Sequence, residues 1–142
     1  MDNIVVISGG FDPIHSGHVA LIKDASKRGK VVVLLNSDNW LKNKKGKYFM
    51  PFSERYEIML SIKNVIDVIE FDDKDKTCIN GIKIVLEKYK NYKILFANGG
   101  DRNTETTPEK DFCIRNKIET LWSVGGDFKK NSSSKILEKW KE

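Results

Sequence analysis

Short apolar runs alternate along this chain with longer stretches in which apolar residues return at helical spacing. The runs are Ile4 to Ile7, Val31 to Leu35, Val65 to Phe71, Ile94 to Ala97 and Ile118 to Val124. An unbroken apolar run bounded by turn signals is the pattern of a strand buried on both faces. Between the runs, Ile79, Ile82, Val85, Leu86 and Tyr89 fall on one face of a helix. Further helices are predicted from Val19, through Met59 and Leu60 with Ser53 as cap, after the Thr107-Pro108 cap, and through Ile136, Leu137 and Trp140. Strands alternating with helices pair in parallel through right-handed crossovers. The expected architecture is an α/β, Rossmann-like three-layer fold with a five-stranded parallel sheet. No internal repeat, low-complexity tract or linker divides it, so a single domain over residues 1–142 is expected.

In a parallel sheet every strand-to-helix loop leaves at the same edge, where such folds bind ligands. The first of these loops, Ser8-Gly9-Gly10-Phe11-Asp12-Pro13-Ile14-His15-Ser16-Gly17-His18, carries both histidines of the protein. Gly9 and Gly10 permit a backbone to approach a ligand closely, and Gly17 does so at a helix start, where N–H groups and the helix dipole favour an anion. His15 and His18 could share a helical turn as metal ligands, but such a site wants more ligands, and Cys78 and Cys113 offer no metal-binding spacing. No metal ligand is therefore assigned. Imidazole N–H groups beside backbone N–H groups suit phosphate oxygens.

Composition narrows the class without naming a ligand. The 142 residues are 39% hydrophobic and 32% charged, as in a globular domain able to bury its own core. A formal charge of +5, from 25 basic and 20 acidic residues, suits an anionic partner, nucleotide or nucleic acid alike. Two cysteines without framework spacing suit a reducing compartment, and no stretch resembles a membrane span or signal segment, so a cytoplasmic location is expected.

The His15-Ser16-Gly17-His18 tetrad after Gly9-Gly10-Phe11-Asp12-Pro13 resembles the HxGH signature of the nucleotidyltransferase superfamily. That superfamily includes the glycerol-3-phosphate cytidylyltransferases and the adenylyltransferase domain that makes ADP-heptose. Asn36-Ser37-Asp38, a lysine-rich run, Ser53-Glu54-Arg55, Asn98-Gly99-Gly100-Asp101 and Ser132-Ser133-Ser134-Lys135 follow in the order the superfamily uses. The resemblance covers nearly the whole chain. It implies transfer of CMP from CTP, slightly preferred, or AMP from ATP to a phosphorylated sugar or polyol, with release of pyrophosphate, Mg²⁺ accompanying the triphosphate, and a homodimer. His15 and His18 would donate to phosphate, with Gly9, Gly10, Phe11, Asp12 and Gly17 around the nucleotide and Asp12 near it or its metal.

The other loops add candidates. Lys42, Lys44, Lys45 and Lys47 surround Gly46 in what reads as a mobile loop able to close over a triphosphate. The resemblance selects Lys44 or Lys45 for the phosphates and carries Arg55, at an exposed helix start, to phosphate as well. Asn98, Gly100 and Asp101 would face the base, Asp101 as an acceptor for its amino group. Ser132, Ser133 and Ser134 could cap a helix or bind phosphate at its start. Where relatives carry an arginine before these serines, this chain has Lys129 and Lys130, and Gly10 stands where many have threonine. A non-catalytic nucleotide sensor on the same fold is the alternative reading. Nucleic-acid binding is a third, without the aromatic stacking pattern it would want.

Overall fold

A computed structural model describes residues 2–99, 107–124 and 133–141. The five expected strands are β1 (Asn3–Gly9), β2 (Lys30–Leu35), β3 (Val65–Glu70), β4 (Lys93–Gly99) and β5 (Glu119–Val124). They form one sheet in the order β3-β2-β1-β4-β5, parallel at every pairing. The helices are α1 (Ser16–Ala25), α2 (Asp38–Lys45), α3 (Phe52–Leu60), α4 (Ile79–Lys88), α5 (Pro108–Arg115) and α6 (Ser133–Lys141).

Alternate residues of the central strands serve two separate cores, as the period of a strand requires. Val5, Ile7, Val31, Val33 and Leu35 pack with Ile22 and Ala25 of α1 and Met59 of α3. Ile4, Val6, Val32 and Leu34 pack with Ile82 and Val85 of α4 and Cys113 of α5. Helices therefore cover both faces, which gives the three layers. The chain winds outward from β1 through β2 to β3, then returns to β4 on the other side of β1. The point where this direction reverses lies at the carboxyl ends of β1 and β4, where open α/β sheets form a ligand crevice.

Two local expectations need correction. Lys42, Lys44 and Lys45 of the lysine-rich run lie in the helix α2, opened by Ser37, whose hydroxyl accepts from Trp40 N, and closed by Gly46 at φ 89°, with Lys47 beyond it. Its signals were a cap and a left-handed terminator rather than apolar periodicity, because Leu41 is its one buried residue. Ser53 does not cap α3: the capping position is Pro51, without a side-chain bond, and Ser53 is an exposed residue of the first turn. Thr107 caps α5 as expected, accepting from Lys110 N, with proline next. Among the described residues no helix is long and apolar enough to cross a membrane.

Ile82 is fully buried between α4 and the sheet. Ile82→Ala is expected to lower the unfolding free energy by about 2–5 kcal/mol, read from urea denaturation.

Candidate functional site

The histidine loop is folded chiefly against itself. His15 is the N-cap of α1, with Nδ1 accepting from Gly17 N at 3.0 Å. His18 answers with its own Nδ1, which accepts from His15 N at 3.2 Å. This is a capping box built from imidazoles in place of the usual hydroxyl and carboxylate. A ring whose Nδ1 accepts must, when neutral, carry its proton on Nε2. The loop thus fixes the same tautomer in both rings, which stack with centroids 3.7 Å apart. Gly17 N–H, expected to favour an anion, is engaged by His15 instead.

Phe11 lies beneath this pair, 5% exposed, its ring edge-on to His18 at 4.7 Å. Its φ of 51° is a left-handed conformation that costs a bulky residue energy and that the surrounding packing must hold. A Cβ on Gly9 would come within 3.2 Å of the Phe11 ring, and one on Gly10 within 2.7 Å of Leu41 Cδ2. The close approach at these glycines is to the protein's own loop and to α2.

Asp12 and Arg55 correct the sequence reading more sharply. Asp12 is 1% exposed; its two carboxylate oxygens accept from Phe49 N and Met50 N, each at 2.6 Å. Arg55, expected at an exposed helix start, is fully buried. Its Nη1 donates to Gly10 O at 2.9 Å and Asn36 O at 2.8 Å, its Nε to Met50 O at 2.9 Å, and its Nη2 to Asp38 Oδ1 at 2.7 Å. In this arrangement it ties the histidine loop, the end of β2, the start of α2 and the segment before α3 to one point, and reaches no open surface for phosphate.

Of the two candidate lysines, Lys45 is brought to the histidine loop: its Nζ donates to Asp12 O at 2.8 Å. Lys44 lies over the Trp40 ring at 4.7 Å. Asn98 is the penultimate residue of β4, the strand beside β1 in the sheet, and Ser133 and Ser134 open α6. Gly100, Asp101 and Ser132 lie outside the described residues, as do Lys129 and Lys130. Sequence reasoning missed Asp73, a buried carboxylate that receives Asn36 and Ser37. Nothing local marks it, since its partners lie on another strand end.

Among the described residues no group of three or more histidines, cysteines or carboxylates could hold a metal ion. Both cysteines are buried in the core. Burial pushes the Cys78 thiol up to about 12, against a hydrogen bond with Ser8 that lowers it, and burial pushes Cys113 up to about 11.

The Cytidylyltransferase-like family model matches residues 6–139 of this chain. The bifunctional protein HldE of Citrobacter koseri is 31% identical over 89% of the chain, which spans only 24% of that protein. The phosphopantetheine adenylyltransferase of Pyrococcus furiosus is 34% identical over 64% of the chain and 45% of its own length. The chain thus spans about a quarter to a half of these curated relatives. In three dimensions it is similar to a lipopolysaccharide core biosynthesis protein from Thermoplasma volcanium, with a TM-score of 0.66 at 20% identity, covering 87% of this chain and 95% of the other.

Two predictions follow from the buried groups. Arg55→Ala leaves three carbonyls and Asp38 without their donor and is expected to cost about 3–5 kcal/mol of stability, with Arg55→Lys recovering only part because it cannot fork. Urea unfolding of the three proteins checks this. The cysteines titrate higher in the folded protein than their ordinary 9.0, so the folded state holds the extra protons. The stability this provides is complete below about pH 9 and is lost as pH rises through the folded values. Unfolding free energies at about pH 8 and about pH 10 should fall, and fall less in Cys78→Ala/Cys113→Ala.

With the matched span, the ordered motifs and the crevice in agreement, this chain belongs to the cytidylyltransferase-like family.

Proposed function

We propose that the histidine loop binds a nucleoside triphosphate and that the protein transfers its nucleotidyl group to a phosphorylated sugar or polyol, releasing pyrophosphate. The observation that carries this reading is the imidazole capping box, which engages Nδ1 of both histidines and assigns the donor hydrogen to Nε2. Such donors suit oxygens on which negative charge builds.

The acceptor phosphate needs no protein nucleophile, because its second pKa of about 6 leaves it an anion at neutral pH. One of its oxygens forms a bond to the α-phosphorus in line with the leaving group. The bond from that phosphorus to the bridging oxygen breaks, and pyrophosphate departs with the electron pair. His15 and His18 then donate to the transferring and leaving oxygens, and Lys45 or Lys44 neutralises the triphosphate. Lys45 exchanges its contact with Asp12 O for phosphate as it does so. Catalysis is thus mostly positioning and charge stabilisation.

Asp12 and Arg55 act as the frame that holds these groups. With both oxygens of Asp12 on backbone amides, the donor set suits an ion that arrives on the triphosphate with phosphate oxygens as its main ligands. Mg²⁺ carried in that way would supply charge neutralisation to the triphosphate. Asn98, Gly100 and Asp101 are assigned to the base, and Ser132, Ser133 and Ser134 to phosphate.

The donor is CTP, as the family's description suggests, or ATP, as the name of the Pyrococcus furiosus relative suggests. A homodimer is the proposed assembly.

Pyrophosphate release with Mg²⁺, crossing CTP and ATP against phosphorylated sugars and polyols, is expected for one pairing. Nucleotide binding with silence across the panel would favour the sensor. In the active pairing, His18→Ala should lower kcat by about 100-fold or more; wild-type turnover in that variant contradicts the mechanism.

A further inference from the structure

Asp73 lies between β3 and α4, outside every motif that pointed to the site. It is 7% exposed, and its carboxylate accepts three hydrogen bonds. Oδ2 receives Asn36 Nδ2 at 3.1 Å and Ser37 N at 2.8 Å; Oδ1 receives Ser37 Oγ at 2.8 Å. A serine hydroxyl has one hydrogen. Committing it to Asp73 turns a lone pair of the same oxygen to Trp40 N, at 3.0 Å, which is the cap of α2.

The helix so capped is poorly held by packing. It has eight residues and one buried side chain, Leu41, and helices of this length are marginal without tertiary support. Its position therefore depends on polar ties: Ser37 to Asp73 at its start, Asp38 to Arg55 in its first turn, and Lys45 to Asp12 O at its end. Asn36 connects the same carboxylate to β1, since Asn36 N donates to Gly9 O at 3.0 Å.

We propose that Asp73 is a positioning residue that fixes the lysine-bearing helix α2 against the histidine loop, and through it sets how the triphosphate is gripped. The functional half of this proposal rests on the reading of the loop as a triphosphate site. Among the described hydrogen bonds, the Asp73 carboxylate meets neither His15, His18 nor a lysine of α2; it acts through Ser37 and Asn36.

Asp73→Ala removes all three acceptors, whereas Asp73→Asn keeps one oxygen for the two N–H donors and turns its amide to the lone pairs of Ser37 Oγ. In the Ala variant KM for the nucleoside triphosphate should rise about tenfold or more, with KM for the acceptor within about twofold, and the Asn variant should recover most of the loss. Independently of turnover, amide hydrogen exchange across α2 should quicken by about tenfold or more in the Ala variant while β1 and β2 stay unchanged, and Asn should restore it. If Asp73→Ala does not fold, Ser37→Ala removes the same relay from the other side and carries both comparisons. A folded variant with unchanged α2 exchange overturns the proposal, as do both KM values and kcat moving together with the folded fraction. Should the wild-type protein release no pyrophosphate, the functional reading fails, and the triphosphate half of the proposal with it; quickened α2 exchange, restored by Asn, would still establish the positioning.

Discussion

A buried guanidinium must satisfy its N–H groups inside the protein, because leaving them unpaired away from water costs more than most single contacts return. Arg55 does so by gathering carbonyls from Gly10, Asn36 and Met50 and the carboxylate of Asp38. Those four partners belong to four different segments, so the site's geometry is set by how many donors one planar group presents and in which directions. Asp12 complements it from the other side, receiving Phe49 N and Met50 N. Together a cation and an anion, both buried, hold the segment 49–50 between the histidine loop and α3.

With the frame fixed in this way, the histidines do not need to hold the loop open by themselves. Their Nδ1 atoms close the first turn of α1, their rings stack, and Phe11 supports them from below. The side chains proposed to act on phosphate are thereby oriented before any ligand arrives, which is the condition for electrostatic preorganisation. The fold itself would serve many reactions; what narrows the reading is that the imidazoles and Lys45 meet on the loop that leaves β1 at the switch point of the sheet.

The sheet was legible in the sequence because the central strands β1, β2 and β4 carry unbroken apolar runs buried on both faces, and α4 because its apolar residues return at helical spacing. That the strand-to-helix loops share one sheet edge followed from alternation alone. Helix α2 was misread as a loop because a helix that buries only Leu41 has almost no periodicity to offer. Arg55 was read as a surface group because its type is usually exposed, and its four acceptors come from positions scattered between Gly10 and Met50. Asp73 was illegible for the same reason: its partner Ser37 is distant in sequence, and only the pairing of β2 with β3 brings them together. Polar groups engaged over long sequence distances carry no local pattern, whereas apolar periodicity does.

The most direct measurement is a long-range ¹H–¹⁵N correlation spectrum of the two imidazoles, recorded with and without a nucleoside triphosphate. The account predicts that both neutral rings carry the proton on Nε2, and that added triphosphate shifts the Nε2 resonances while Nδ1 stays hydrogen-bonded within the loop. Rings protonated at Nδ1 when neutral, or Nε2 resonances indifferent to saturating triphosphate, would contradict it.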